Sequence, residues 1–123
     1  MARILIVDDA EAERLLLSSI LVNAGYEVRF AKEGHSALAK WNSGSFDLVV
    51  TDLAMPRLDG LQLIQEIRQA DPSARIIAIS GVRPDQLGLA LEYGAVDALY
   101  KPVDPRKLLK AIEEALADGP LGD

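Results

Sequence analysis

Four short apolar runs in this chain each stop at residues suited to polar chemistry. Ile4-Leu5-Ile6-Val7 stops at Asp8 and Asp9. Leu48-Val49-Val50-Thr51 stops at Asp52. The run through Ile76, Ile77 and Ile79 stops at Ser80, and Ala98-Leu99-Tyr100 stops at Lys101. If these ends share one rim, three carboxylates crowd together, and at least one holds its proton more tightly than usual. A hard divalent cation removes that conflict. Mg²⁺ prefers oxygen ligands and binds through one or two carboxylates plus phosphate oxygens. The chain has no cysteine and one histidine, His35, in a polar stretch that suits a surface role. Zn²⁺ therefore fits far worse. Lys101 adds a positive point charge and Ser80 a hydroxyl. Together they describe a pocket for a phosphoryl group beside a metal, with an aspartate as nucleophile.

That chemistry depends on elements that bring the ends together. Residues 4–7 form a β-branched run, read as a buried strand. Residues 10–24 follow a helical period, with Ala12, Leu16 and Ile20 on one stripe and Leu15, Leu17 and Leu21 widening it. Gly25 stops that helix. Residues 27–31 read as a second strand and residues 33–41 as a short helix. Residues 48–52 give a third strand, and 55–60 a loop in which Asp59 caps the next helix. Leu61, Ile64 and Ile67 mark that helix. Residues 75–80 form the fourth strand. A weaker helix over 84–93 is loosened by Gly88, by about 1 kcal/mol relative to alanine. Residues 98–101 form the fifth strand. Pro105 opens a last helix faced by Leu108, Leu109, Ile112 and Leu116.

Strand and helix alternate five times. This predicts one α/β domain over 1–117, doubly wound and flavodoxin-like, with residues 118–123 as a tail or the start of a linker. The parallel five-stranded sheet takes the order 2-1-3-4-5, so the first and third strands are neighbours. A ligand is expected at their carboxyl ends, where the winding reverses. The acids lie on that rim.

Composition narrows the function classes. With 123 residues the chain suits a single core. Its formal charge of -6 offers no basic field for nucleic acid, so direct nucleic-acid binding by this domain is not expected. The apolar start is too short for a signal peptide or a membrane span, and a cytoplasmic, membrane-free location is the expectation. Neither a Walker loop nor a dinucleotide fingerprint occurs.

Four blocks of the sequence resemble the signatures of bacterial response-regulator receiver domains of two-component systems, of the chemotaxis-regulator kind. They are Ile4 to Asp9, Leu48 through Asp52 to Gly60, Ile79-Ser80-Gly81, and Tyr100-Lys101-Pro102. They occur in the family's order and span nearly the whole chain. The resemblance implies a phosphorelay module that is not a multiple-turnover enzyme. Asp52 would be the phosphoacceptor. Asp9, with Asp8 helping through water, Asp52 and the backbone carbonyl of Ala54 would hold Mg²⁺. Ser80 and Lys101 would bind phosphoryl oxygens, the Lys101-Pro102 bond would be cis, and Gly81 would leave room for the donor. The donor would be the phosphohistidine of a sensor histidine kinase or a phosphotransfer protein. The output would pass through the fourth helix, fifth strand and fifth helix to a downstream effector domain or protein. A phosphorylation-dependent homodimer stays open.

The chain departs from the family pattern in two places. An aromatic residue is usual at the position of Ala98; here Tyr100, which strand alternation points the same way, is the nearest. Ala54 and Val82 stand where polar side chains often orient water, so slow self-dephosphorylation is expected. Other readings compete. A pseudo-receiver would lack part of the acid, serine and lysine set. A flavodoxin-like module for FMN would need a glycine- and hydroxyl-rich loop after the first strand, where Asp8-Asp9-Ala10-Glu11 stands instead; a flavodoxin-like protein-interaction module not gated by phosphate stays an alternative. A phosphatase with an aspartate nucleophile would need an acid at Ala54.

Overall fold

In the computed structural model, residues 2–54, 59–81 and 84–117 are described. Most of the loop expected at 55–60, Val82, and the tail expected from 118 lie outside them. The strands are β1 (Arg3–Val7), β2 (Glu27–Ala31), β3 (Leu48–Asp52), β4 (Ile76–Ser80) and β5 (Asp97–Tyr100). The helices are α1 (Glu11–Asn23), α2 (Gly34–Ser43), α3 (Gly60–Ala70), α4 (Pro84–Tyr93) and α5 (Pro105–Ala117). All strand pairs are parallel, and the order is β2-β1-β3-β4-β5, as the alternation predicts.

The period of two along each strand divides the core into two layers. Leu5, Val7, Val49, Ile76 and Ala78 face Leu63, Ile64, Ile67, Leu87 and Ala90 of α3 and α4, with Ala37 and Trp41 of α2. Ile4, Ile6, Leu48, Val50, Ile77 and Ile79 face Leu17 and Leu21 of α1 and Leu108 and Ile112 of α5. Both faces of the sheet are covered, which explains why β1, β3 and β4 read as unbroken apolar runs. No described helix is long and apolar enough to cross a membrane.

The stripe expected on α1 is corrected. Leu17 and Leu21 are buried with Arg14, whereas Ala12, Leu15 and Leu16 are exposed. Leucines surround most of this helix, so its period alone does not choose a face. The choice is made by the sheet and by Arg14, whose Nη1 donates to the Asp8 carbonyl at 2.8 Å in a buried contact. Caps follow local rules more closely. The side chain of Asp59 accepts from the Gln62 amide at 2.9 Å and starts α3. Glu33 does the same for α2. Asp8 and Asp9 do not cap α1, whose N-cap is Ala10 without a side-chain bond.

Gly88 lies mid-helix in α4, and a Cβ there would meet nothing within 4 Å. Gly88→Ala should therefore stabilise the protein by about 0.5–1 kcal/mol, read from urea unfolding. A loss of stability would mean that this turn of α4 does not have ordinary helical geometry.

Candidate phosphoacceptor and metal site

Parallel pairing aligns the strand ends. Val7 pairs with Thr51, Asp52 with Ile79, and Ser80 with Tyr100. Asp8, Asp52, Ser80 and Lys101 are thereby carried to one rim. Asp8, Asp52 and Ser80 are buried there. Asp52 shares the parity of Leu48 and Val50, which face α1 and α5. From α1 comes a residue absent from the sequence reading, Glu13. Its carboxylate and those of Asp8 and Asp52 each place an oxygen within 4.8 Å of the others.

Lys101 is the cation set among these acids. Its Nζ lies 3.3 Å from Asp52 Oδ2 and 3.5 Å from Asp8 Oδ2, and it hydrogen-bonds Glu13 Oε2. The Lys101-Pro102 bond is cis. A Cβ on Gly81 would sit 3.1 Å from Lys101 Cβ and 3.3 Å from its Cδ, so the space beside this glycine is taken up by the lysine stem. The Ala54 amide donates to Asp52 Oδ1 at 3.3 Å, and the Ala10 amide to Asp8 Oδ1 at 2.9 Å.

The crowding of acids shows in their protonation. Burial, a hydrogen bond with Glu13 and the charge of Asp52 push Asp8 up to about 7, against the pull of the Ala10 amide and Lys101. Burial raises Asp52, although Lys101 and the Ala54 amide oppose it. Glu13 is lowered, chiefly by its hydrogen bond with Asp8, so Asp8 is the proton-bearing partner of the two. Lys101 is raised: desolvation, its largest single influence, works downward, but Glu13, Asp52 and Asp8 together outweigh it. The donors are all oxygens, with excess negative charge and neither histidine nor cysteine. That set fits a hard cation such as Mg²⁺.

Asp9 is exposed and is not among the three acids that gather. Ala54 is exposed directly after the acceptor strand. Glu13 escaped the sequence reading because an acid in a first helical turn is the ordinary complement to the helix dipole; Glu11 beside it has that same bland explanation. A cleft of about 650 Å³ between α1, β2 and α2 includes none of Asp8, Asp52 or Lys101. His35 is exposed, and Tyr100 is 59% exposed.

A doubly wound (βα)₅ sheet with buried acids at its switch point and a lysine among them defines a narrow class of protein. Residues 4–113 match the model of the response regulator receiver domain, and the chain belongs to that family. It is 40% identical over 116 residues to the chemotaxis protein CheY of Bacillus subtilis, covering 93% of this chain and 97% of that one. Among solved structures it superposes on a response regulator receiver domain protein from Clostridium thermocellum with a TM-score of 0.91, at 32% identity and 96% coverage of both chains. It also resembles the response regulator TrrA of Thermotoga maritima, solved in complex with Mg²⁺-BeF, with a TM-score of 0.88, 34% identity, and 94% and 100% coverage. Receiver domains are signalling modules rather than enzymes turning over an external substrate.

Proposed function

We propose that this receiver domain takes a phosphoryl group onto Asp52 from the phosphohistidine of a sensor histidine kinase or phosphotransfer protein. The observation carrying this reading is the buried Asp52 carboxylate at the end of β3 with Lys101 Nζ, from the end of β5, 3.3 Å away. An Asp52 oxygen attacks phosphorus, the O–P bond forms as the N–P bond breaks, and the imidazole nitrogen keeps the electron pair and takes a proton. Lys101 neutralises charge on the phosphoryl oxygens, and Ser80 supplies a hydroxyl to one of them. Asp8, Asp9, Asp52 and the Ala54 carbonyl are the proposed holders of Mg²⁺. Bound there, the ion supplies charge neutralisation and orientation. The likeness to a protein solved with Mg²⁺-BeF supports this ligand chemistry.

The modified Asp52 carries more negative charge, which draws Ser80 and the segment after β4 inward. The readout is the α4-β5-α5 face, toward an effector domain or protein in the cytoplasm. The test is incubation with acetyl phosphate and Mg²⁺, followed by intact-mass measurement. The wild type gains one phosphoryl group and Asp52→Asn gains none; equal labelling of the variant would move the acceptor elsewhere.

Loss of phosphate is proposed to be slow, because Ala54 offers no side-chain group to orient water. Ala54→Asn should speed decay of the labelled protein by about threefold or more, an effect on the order of 1 kcal/mol in the barrier. An unchanged or slower decay would remove water guidance at this position from the account.

A further inference from the structure

Lys101 is shared among three acids that differ in freedom. The side chains of Asp8 and Asp52 are 2% and 6% exposed, and that of Glu13 is 39% exposed. The aspartates are held by burial and by the amides of Ala10 and Ala54. Glu13 reaches in from the first turn of α1, 88 residues from Lys101 in sequence, and it can turn toward water. We propose that Glu13 is a latch on Lys101, a positioning residue that holds the ammonium in the unphosphorylated protein and releases it when a phosphoryl group arrives on Asp52. The inference rests on the proposed phosphoacceptor reading.

An ammonium has three donors, and the acids already engage them. A phosphoryl group on Asp52 brings strong new acceptors to the same Nζ. Asp52 cannot withdraw, because it carries the group. Asp8 is sealed beneath the pocket. Glu13 is the acid whose departure leaves no carboxylate buried without water or a partner. The Glu13 contact therefore competes with phosphoryl transfer, and weakening it should speed labelling. Charge alone could speed labelling as well, by attracting an anionic donor, so the test must separate contact from charge. Glu13→Gln removes the charge. Glu13→Asp keeps the charge but falls one methylene short of Lys101.

The experiment measures acetyl phosphate labelling of the full chain at saturating Mg²⁺. Alongside it, NMR follows the Lys101 side-chain ammonium signal in Mg²⁺-free protein. Both variants should label about two- to fivefold faster than wild type, the range set by one weak ion pair. Both should also shift or broaden the Lys101 signal, with the Mg²⁺ midpoint moved less than about twofold. Two results would overturn the latch. Glu13→Asp could match wild type in rate and signal, making charge sufficient. Alternatively, both variants could label more slowly and need more Mg²⁺, making Glu13 a servant of the cation. If wild type takes no label, the phosphoacceptor reading fails, and the lysine signal still decides whether Glu13 holds Lys101.

Discussion

Replacing Lys101 with methionine lowers the stability of the metal-free protein by about 2–3 kcal/mol near pH 8, and by less than half of that near pH 5. The difference follows from the acids around the lysine. Asp8 is raised to about 7 and Asp52 lies above the usual carboxylate range, both chiefly through burial. A raised acid stabilises the fold fully below its unfolded-state value, and that contribution is lost as pH rises through the folded-state value. Glu13 is lowered, so its contribution has the opposite sign and is lost as pH falls. Lys101 is raised, so its contribution persists throughout this window. Without Lys101 both aspartates rise further, so as pH climbs they either ionise beside each other and Glu13 with no cation among them or hold protons that the unfolded chain releases, and both outcomes cost stability. Near pH 5 Asp8 keeps its proton, and the lysine matters less.

Urea unfolding at the two pH values, with EDTA present, measures this directly. Added Mg²⁺ should recover part of the loss at the higher pH, because a ligand that binds only the folded state stabilises it by mass action. An equal loss at both pH values would mean that the lysine acts through its stem, packed beside Gly81, rather than through its charge.

The architecture was legible because both faces of the sheet are buried. That requirement writes β1, β3 and β4 as apolar runs, each ending abruptly where the backbone reaches the rim. The polar residues at those ends, Asp8, Asp52 and Ser80, and Lys101 at the end of β5, could then be placed from the strand order alone. Edge strand β2 is only partly buried, and its sequence alternates less cleanly for that reason. Two features were not legible. The face of α1 was misread because leucines surround the helix, and burial of Arg14 is decided by a carbonyl at the end of β1. Glu13 was missed because its role depends on how far α1 leans over that rim. Strand ends are fixed by register, whereas a helix side chain reaches its target through packing, which no local spacing records.

The same glycine-to-alanine change that should strengthen α4 at Gly88 should do the reverse at Gly60. Gly60 begins α3 and is buried against the end of β3, with its amide donating to the Leu53 carbonyl at 3.1 Å. A Cβ there would lie 2.5 Å from Leu53 Cα, 3.0 Å from the Asp52 carbonyl carbon, and closer still to that carbonyl's oxygen. These are backbone atoms of a central strand, held on both sides by β1 and β4, so no side chain can turn away to relieve the clash. Either α3 withdraws from the sheet or β3 bends at the acceptor. Gly60→Ala should therefore lose about 3 kcal/mol, the upper end of what overpacking ordinarily costs. The position of the clash adds a second consequence. Asp52 sits on the very peptide that must move, so labelling by acetyl phosphate should slow even at temperatures where the variant remains folded. A variant with wild-type unfolding midpoint and wild-type labelling would show that the approach of α3 to β3 is looser than this geometry requires. A variant that is destabilised but labels normally would place the whole adjustment in α3 and leave the acceptor strand undisturbed.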